Sequence, residues 1–188
     1  MAAALVIAAA LLAYPKPKEG RPIPRFTAIS HENERLSSSD YAGQKLLLWF
    51  YPRAGTSGCT AEGRGFQENL EAFKAANVRV VGISNDKVPK NALFAEQNGF
   101  QFPLLCDTDN TVAMAFGAAQ RRYDPHRRVA ALIDEDGVLV KYYDPAGTAD
   151  FAERVLADVQ AGIFSSPKKL DDVDMDVDDT TSTVTDEL

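Results

Sequence analysis

The residues most able to do chemistry lie in Phe50-Tyr51-Pro52-Arg53-Ala54-Gly55-Thr56-Ser57-Gly58-Cys59-Thr60-Ala61-Glu62. This stretch leaves a continuous apolar run, crosses a Pro/Gly loop and enters a helix near Cys59. A thiol in a first helical turn faces unpaired backbone N–H groups and the positive end of the helix dipole. Those favour the thiolate, which is the nucleophilic form. Position alone leaves a second reading open, because free cysteines are also common as buried packing residues. Thr56 and Glu62 have plain readings of their own, as a helix N-cap and as an acid favoured in the first turn.

A strand must deliver the loop and further elements must hold it. Lys45–Tyr51 (KLLLWFY) has the unbroken apolar character of a fully buried strand. Behind Cys59, Phe66, Leu70 and Phe73 recur at helical spacing, and Val78–Ser84 (VRVVGIS) is a second β-branched run. Leu93 and Phe94 with nearby alanines predict another helix, ended near Gly99. Val129–Ile133 and Val138–Tyr143 flank Asp134-Glu135-Asp136-Gly137, a hairpin turn signal. Phe151, Val155, Leu156 and Val159 predict a last amphipathic helix. Parallel-type strands alternating with helices, plus a hairpin, indicate an α/β domain with a mixed sheet. Trp49 reads as core. His31 and His126 have no spacing for a metal or a Cys–His pair, and His126, after Asp124-Pro125, is expected to face solvent.

The chain has 188 residues, 20 Lys+Arg, 27 Asp+Glu and two cysteines, for a net charge of −7. Two cysteines cannot build a disulfide framework, and the acidity argues against a nucleic-acid surface. Most of that acidity is local. From Pro167 onward, eight acidic residues and two lysines give −6, with almost no large apolar side chain, as in a solvated tail. The alternating Asp172, Asp174, Asp176 and Asp178 lack the glycine and terminal glutamate of a calcium loop. At the other end, Ala2 to Ala13 form an apolar run too short for a membrane span; it reads as a signal peptide or short anchor, or alternatively as an N-terminal helix packed on the domain. The terminal Thr185-Asp186-Glu187-Leu188 resembles an endoplasmic-reticulum retrieval signal of the KDEL kind. The expected organisation is an apolar segment and linker at 1–20, a domain at 21–164 and an acidic tail at 165–188. The expected compartment is the secretory pathway or outside the cytoplasm, with a cytoplasmic location as the alternative.

The spacing Pro52-x-x-x-Thr56-x-x-Cys59-x-x-Glu62 resembles the active-site signature of peroxiredoxins. Its context, FYPRAGTSGCTAE, is similar to the bacterioferritin-comigratory, or peroxiredoxin Q, branch. The likeness continues through VVGISND, FPLLCDTDNTVAMAFG and RRVAALIDEDGVLVKYY, so it spans Pro24 to Val159. It implies a thioredoxin-like fold, with a central mixed sheet flanked by helices, and a thiol-dependent peroxidase. By that resemblance Cys59 is the peroxidatic cysteine, attacking a peroxide and passing through a sulfenic acid. Thr56 would hydrogen-bond the thiolate and peroxide, and Pro52 would shape and shield the loop. The family's arginine falls at Arg128, with Glu62 orienting it. Of the pair Arg127 and Arg128 only one can point inward, because side chains alternate along a strand; the bland reading of Arg128 is a surface cation in the cluster Arg121 to Arg128.

The sequence departs from the branch at three places. Arg64 stands where many relatives carry a resolving cysteine, Ser57 replaces the usual proline, and Gly63 and Gly65 lie inside the expected helix. Each glycine costs about 1 kcal/mol relative to alanine, which would ease unwinding of the helix start. Cys106, at a strand end, is either a resolving cysteine reached after local unfolding or a packing thiol. In the second case an external thiol reduces Cys59 directly. The resemblance implies no bound cofactor, a peroxide substrate, and a thioredoxin-like or glutathione/glutaredoxin reductant, in a monomer or weak dimer. A disulfide oxidoreductase is disfavoured because Glu62 stands where its second cysteine would be. A non-catalytic redox sensor or binding module is the rival from another class.

Overall fold

The computed structural model describes residues 16–147 and 150–165. The apolar N-terminal run, the acidic tail and the terminal TDEL therefore lie outside the described residues. Seven strands form one sheet: β1 (Thr27–Ser30), β2 (Arg35–Ser37), β3 (Lys45–Phe50), β4 (Val78–Ser84), β5 (Leu104–Cys106), β6 (Val129–Ile133) and β7 (Leu139–Tyr143). Five α-helices accompany them: α1 (Ser57–Glu68), α2 (Leu70–Ala75), α3 (Val88–Asn98), α4 (Thr111–Ala115) and α5 (Phe151–Gln160). The strand order is β2-β1-β5-β4-β3-β6-β7. β3, β4 and β5 run parallel, and β1, β6 and β7 join antiparallel to their neighbours, giving the expected mixed sheet.

This topology decides where chemistry can sit. The loops after β3, β4 and β5 all emerge at one pole. β6 runs opposite to β3, so its first residue Val129 pairs with Phe50, the last of β3. Arg128 thus enters the sheet beside Tyr51, at the mouth of the Cys59 loop. The period of two sorts the side chains between faces. Leu47, Trp49 and Tyr51 join Phe66, Phe73, Phe94 and Phe151 in an aromatic core under α1, α3 and α5. Leu46, Leu48 and Phe50 join Phe26, Val112 and Phe116 on the other face. Burying each such aromatic contributes about 2–3 kcal/mol.

One local expectation is corrected. The helix after Cys59 is broken at Asn69, whose side-chain amide donates to the Gly65 carbonyl (2.9 Å), so Phe66 lies on α1 while Leu70 and Phe73 lie on α2. Gly63 also has a packing reason: a Cβ there would come within 2.5 Å of the Phe100 ring. Elsewhere the punctuation is as read. Gly99 ends α3 at φ +65°, and Gly137 takes φ +77° in the β6–β7 turn. Residues 20–23 lie along β7, with Gly20 N donating to Leu139 O and Ile23 N to Gly137 O. Among the described residues no helix is long and apolar enough to cross a membrane.

Candidate active site

Cys59 is the third residue of α1 and is wholly buried. Thr56 occupies the N-cap position with extended backbone, and its carbonyl accepts from Thr60 N at 2.9 Å. Its hydroxyl makes no capping bond and donates instead to the Arg53 carbonyl (3.1 Å), so the loop folds back on itself. Gly55 bends that loop at φ +79°, and Pro52 stands half-buried at its start. The loop is also pinned from β4's end: Ala54 N donates to Asp86 Oδ2 at 2.6 Å, and Lys90 Nζ reaches Asp86 Oδ1 at 2.5 Å. Nothing in the sequence marked Asp86 for this task; only the parallel pairing of β3 and β4 brings it there.

Arg128 Nη1 donates to Glu62 Oε2 at 2.8 Å. Glu62 is almost wholly buried, while the Arg128 side chain is 31% exposed. Glu62 lies in the second turn of α1, not the first, so the helix dipole is not what places it. Trp49 Nε1 donates to the same oxygen, Glu62 Oε2, at 3.1 Å. Burial pushes the Glu62 carboxyl up, and the Arg128 charge and the two hydrogen bonds oppose that rise. Two glycines leave room for this pair. A Cβ on Gly58 would stand 2.8 Å from Arg128 Nη2, and one on Gly147 would overlap both Glu62 Oε1 and Arg128 Cδ. The Arg128 carbonyl accepts from Ala146 N at 2.8 Å, which fixes the backbone from the far side.

Arg127 points the other way, to Asp144 Oδ1 (2.6 Å) and the Gly117 carbonyl (3.3 Å), although both arginines precede β6 rather than belong to it. The structure thus gathers Thr56, Cys59, Glu62 and Arg128 at one pole and sends Arg127 elsewhere. Trp49 is core, as expected, but the direction of its N–H, toward Glu62, was missed. The only available signal was a tryptophan two residues from the end of a buried strand.

Cys106 closes β5, and Ser84 on β4 is its register partner. Its Sγ accepts from Asn91 Nδ2 at 3.4 Å, and Asn91 Oδ1 accepts from Tyr51 OH at 2.9 Å. Burial pushes the Cys106 thiol up; the Asn91 bond opposes this and the Asp86 charge adds to it. Both cysteines are free thiols, and both act electrostatically on the Tyr51 phenol.

His126 is buried, against expectation. Its ring nitrogens lie 3.3 Å from Ile83 O and 3.1 Å from Asn110 Oδ1, and burial lowers its pKa to about 4. Asp124-Pro125 does turn the backbone, but the turn delivers the ring inward. Asn110, at φ +61°, holds the same loop by donating to the Arg121 and Asp124 carbonyls at 2.8 Å each. Among the described residues no three His, Cys, Asp or Glu side chains gather as metal ligands.

Comparisons with known proteins bear on the family and the fold. The AhpC/TSA family matches residues 20–142. Peroxiredoxin Bcp of Escherichia coli is 36% identical over 145 residues, covering 74% of this chain and 93% of its own. Peroxidoxin BcpB from Mycobacterium tuberculosis superposes with a TM-score of 0.71 at 31% identity, covering 77% of this chain and 97% of that one. A cysteine-to-serine mutant of Xylella fastidiosa PrxQ gives a TM-score of 0.74 at 27% identity, covering 78% and 98%. These neighbours share the thioredoxin-like peroxiredoxin fold. The chain belongs to the AhpC/TSA family and, within it, to the Bcp/peroxiredoxin Q branch of thiol-dependent peroxidases.

Proposed function

We propose that Cys59 carries the peroxidase reaction and that Thr56, Arg128, Pro52 and Glu62 serve it. The Cys59 thiolate attacks the terminal oxygen of a hydroperoxide, and the O–O bond breaks as sulfur gives up two electrons. The departing oxygen takes a proton and leaves as water or an alcohol, and Cys59 becomes a sulfenic acid. Negative charge builds on that leaving oxygen, so donors fixed in advance lower the barrier. Arg128 is suited to this: its guanidinium is always charged, and the 2.8 Å bond to Glu62 holds it against Gly58, next to Cys59. That packing is the observation that carries the reading. Thr56 supplies a hydroxyl at the same helix start once a peroxide competes for it with the Arg53 carbonyl. Pro52 shapes the loop and limits water.

Substrates are hydrogen peroxide and organic hydroperoxides; a Xanthomonas campestris bacterioferritin comigratory protein is described with alkyl peroxide reduction activity. For the reductive half, an external thiol attacks the sulfenic sulfur and expels water. A second thiol then releases Cys59 from the mixed disulfide. A thioredoxin-like protein or a glutathione/glutaredoxin couple fits this role, and the protein acts as a monomer or weak dimer. The domain at 21–164 would work between an N-terminal segment at 1–20 and an acidic tail at 165–188. The apolar run Ala2 to Ala13 and the terminal TDEL support a secretory-pathway location. Mass spectrometry of the mature N-terminus tests that last point.

Stopped-flow mixing with hydrogen peroxide tests the central assignment. The wild type should consume one equivalent rapidly and the Cys59→Ser variant none. A serine variant that matched the wild type would end the proposal.

A further inference from the structure

Glu62 Oε2 receives two hydrogen bonds, from Arg128 Nη1 at 2.8 Å and from Trp49 Nε1 at 3.1 Å. The two donors differ in how firmly they are held. Arg128 is at the mouth of the site and 31% exposed, so on its own it leaves the ion pair free to swing outward. Trp49 is the penultimate residue of β3, hydrogen-bonded between β4 and β6, and wholly buried. Its indole stacks on Tyr51 with centroids 4.4 Å apart and leans on Phe66 at 5.4 Å. Gly82 on β4 makes space for it, since a Cβ there would stand 3.3 Å from the indole and 2.6 Å from Leu104 Cδ2. A Phe or Leu would fill this space as well. A tryptophan adds one thing, an N–H that must find an acceptor when buried. The acceptor it finds is the carboxylate that holds the arginine.

We infer that Trp49 is a positioning residue for the peroxidase reaction: it ties the Glu62–Arg128 pair to the rigid sheet and so fixes where the guanidinium points. This rests on the reading of Cys59 and Arg128 given above. The chain of support runs from β3 through the indole to Glu62, and from Glu62 to Arg128 beside Gly58. On the other side, Gly147 leaves room for the pair, since a Cβ there would stand 2.4 Å from Glu62 Oε1.

The test compares two reactions of Cys59, the second-order rate with hydrogen peroxide and the rate of alkylation by iodoacetamide. Both need the thiolate, but only the first develops charge on a leaving oxygen, so their ratio divides out the thiolate fraction. A hydrogen bond to a charged group contributes enough that losing it should lower this ratio about tenfold. Trp49→Phe should show that drop. Because it also removes volume, Trp49 is replaced in parallel by benzothienylalanine, which keeps the indole shape with sulfur in place of N–H. That protein should melt like the wild type and show the same drop. In a Glu62→Met background, replacing Trp49 should change the ratio no further. A benzothienylalanine protein within twofold of the wild type, or a drop of the same size without Glu62, overturns the inference. Failure of the underlying reading looks different: wild type and Cys59→Ser would then consume peroxide equally.

Discussion

Cys59 is wholly buried at the start of α1, and Cys106, 8% exposed, ends β5 on the same aromatic face of the sheet. Their burial is similar and their surroundings are opposed. Around Cys59 stand a helix N-terminus, a hydroxyl at Thr56 and a guanidinium packed on Gly58. Around Cys106 stand the Asn91 amide, the Tyr51 phenol and the Asp86 carboxylate, and burial pushes its thiol up. Burial alone therefore does not make or silence a cysteine. What differs is the charge nearby: the Arg128 guanidinium lies against Gly58, next to Cys59, whereas the Asp86 carboxylate acts on Cys106. On the proposed reading the first region serves a reaction, whereas the second joins β4, β5 and α3.

The sharpest way to break this contrast is to remove the donor from the Cys59 side. Arg128→Met should lower the second-order rate with hydrogen peroxide by about 10²–10³, the usual cost of deleting one donor to a developing anion. Alkylation of Cys59 by iodoacetamide should fall far less. Equal losses in both reactions would mean that Arg128 acts only on the thiol, and the contrast would then rest on the helix alone.

The next effect belongs to the opposite face of the sheet, where His126 packs against Phe50 and polar groups are predicted to govern stability. His126 and Asn110 tie the 110–128 loop to β4 just beyond β5. His126 has its pKa lowered from 6.5 to about 4, because burial disfavours the charged ring. The unfolded chain thus binds a proton more readily than the folded one between those values. The stabilisation is complete above pH 6.5 and is lost as pH falls toward 4, by about 3 kcal/mol. Urea unfolding across that range should show it, and His126→Gln should flatten the slope. A variant as acid-sensitive as the wild type would show that the loss arises elsewhere.

Much of the difference between the two regions was readable before the fold was known, and the rest shows what kind of information a sequence withholds. β3, β4 and the β6–β7 hairpin stand out because continuous apolar runs and an Asp-Gly turn are local properties. Arg128 could be preferred to Arg127 because the family resemblance places the arginine just ahead of the Val129–Ile133 run. The short hairpin of β1 and β2, four and three residues of mixed polarity, leaves no comparable pattern. Asp86 on Ala54 N, Trp49 on Glu62 and Asn91 on Cys106 join residues 32, 13 and 15 positions apart. Each depends on which strand lies beside which. His126 was misplaced for the same reason: Asp124-Pro125 describes the backbone, whereas the ring goes where Ile83 O and Asn110 Oδ1 wait.

A smaller change separates activity from stability inside the Cys59 region. Gly58→Ala adds a Cβ 2.8 Å from Arg128 Nη2. The guanidinium must shift, and a misdirected donor should lower the peroxide rate about tenfold. The same substitution improves helix propensity by about 1 kcal/mol, so the thermal midpoint should hold or rise. If activity and stability fell together, the variant would have damaged the helix start and said nothing about aim.

The smallest expected effect is the most informative about Cys106. Ser84 pairs with Cys106, and β3 lies one strand further on, so Cys106 is two strands from the Tyr51 position, about 10 Å away. A disulfide needs Cα atoms within about 7 Å. The Asn91 amide, joined to the Tyr51 phenol by a 2.9 Å bond, also engages the Cys106 sulfur at 3.4 Å. Cys106→Ser should therefore change the peroxide rate by less than about twofold, since it leaves every group near Cys59 in place. After one equivalent of peroxide, the wild type should still show one titratable thiol, and that thiol should be absent from the Cys106→Ser protein. Loss of both thiols in a monomeric wild type would instead demand that β5 and the Cys59 loop come together. The contrast between the two cysteines would then describe the resting state of a single two-thiol site.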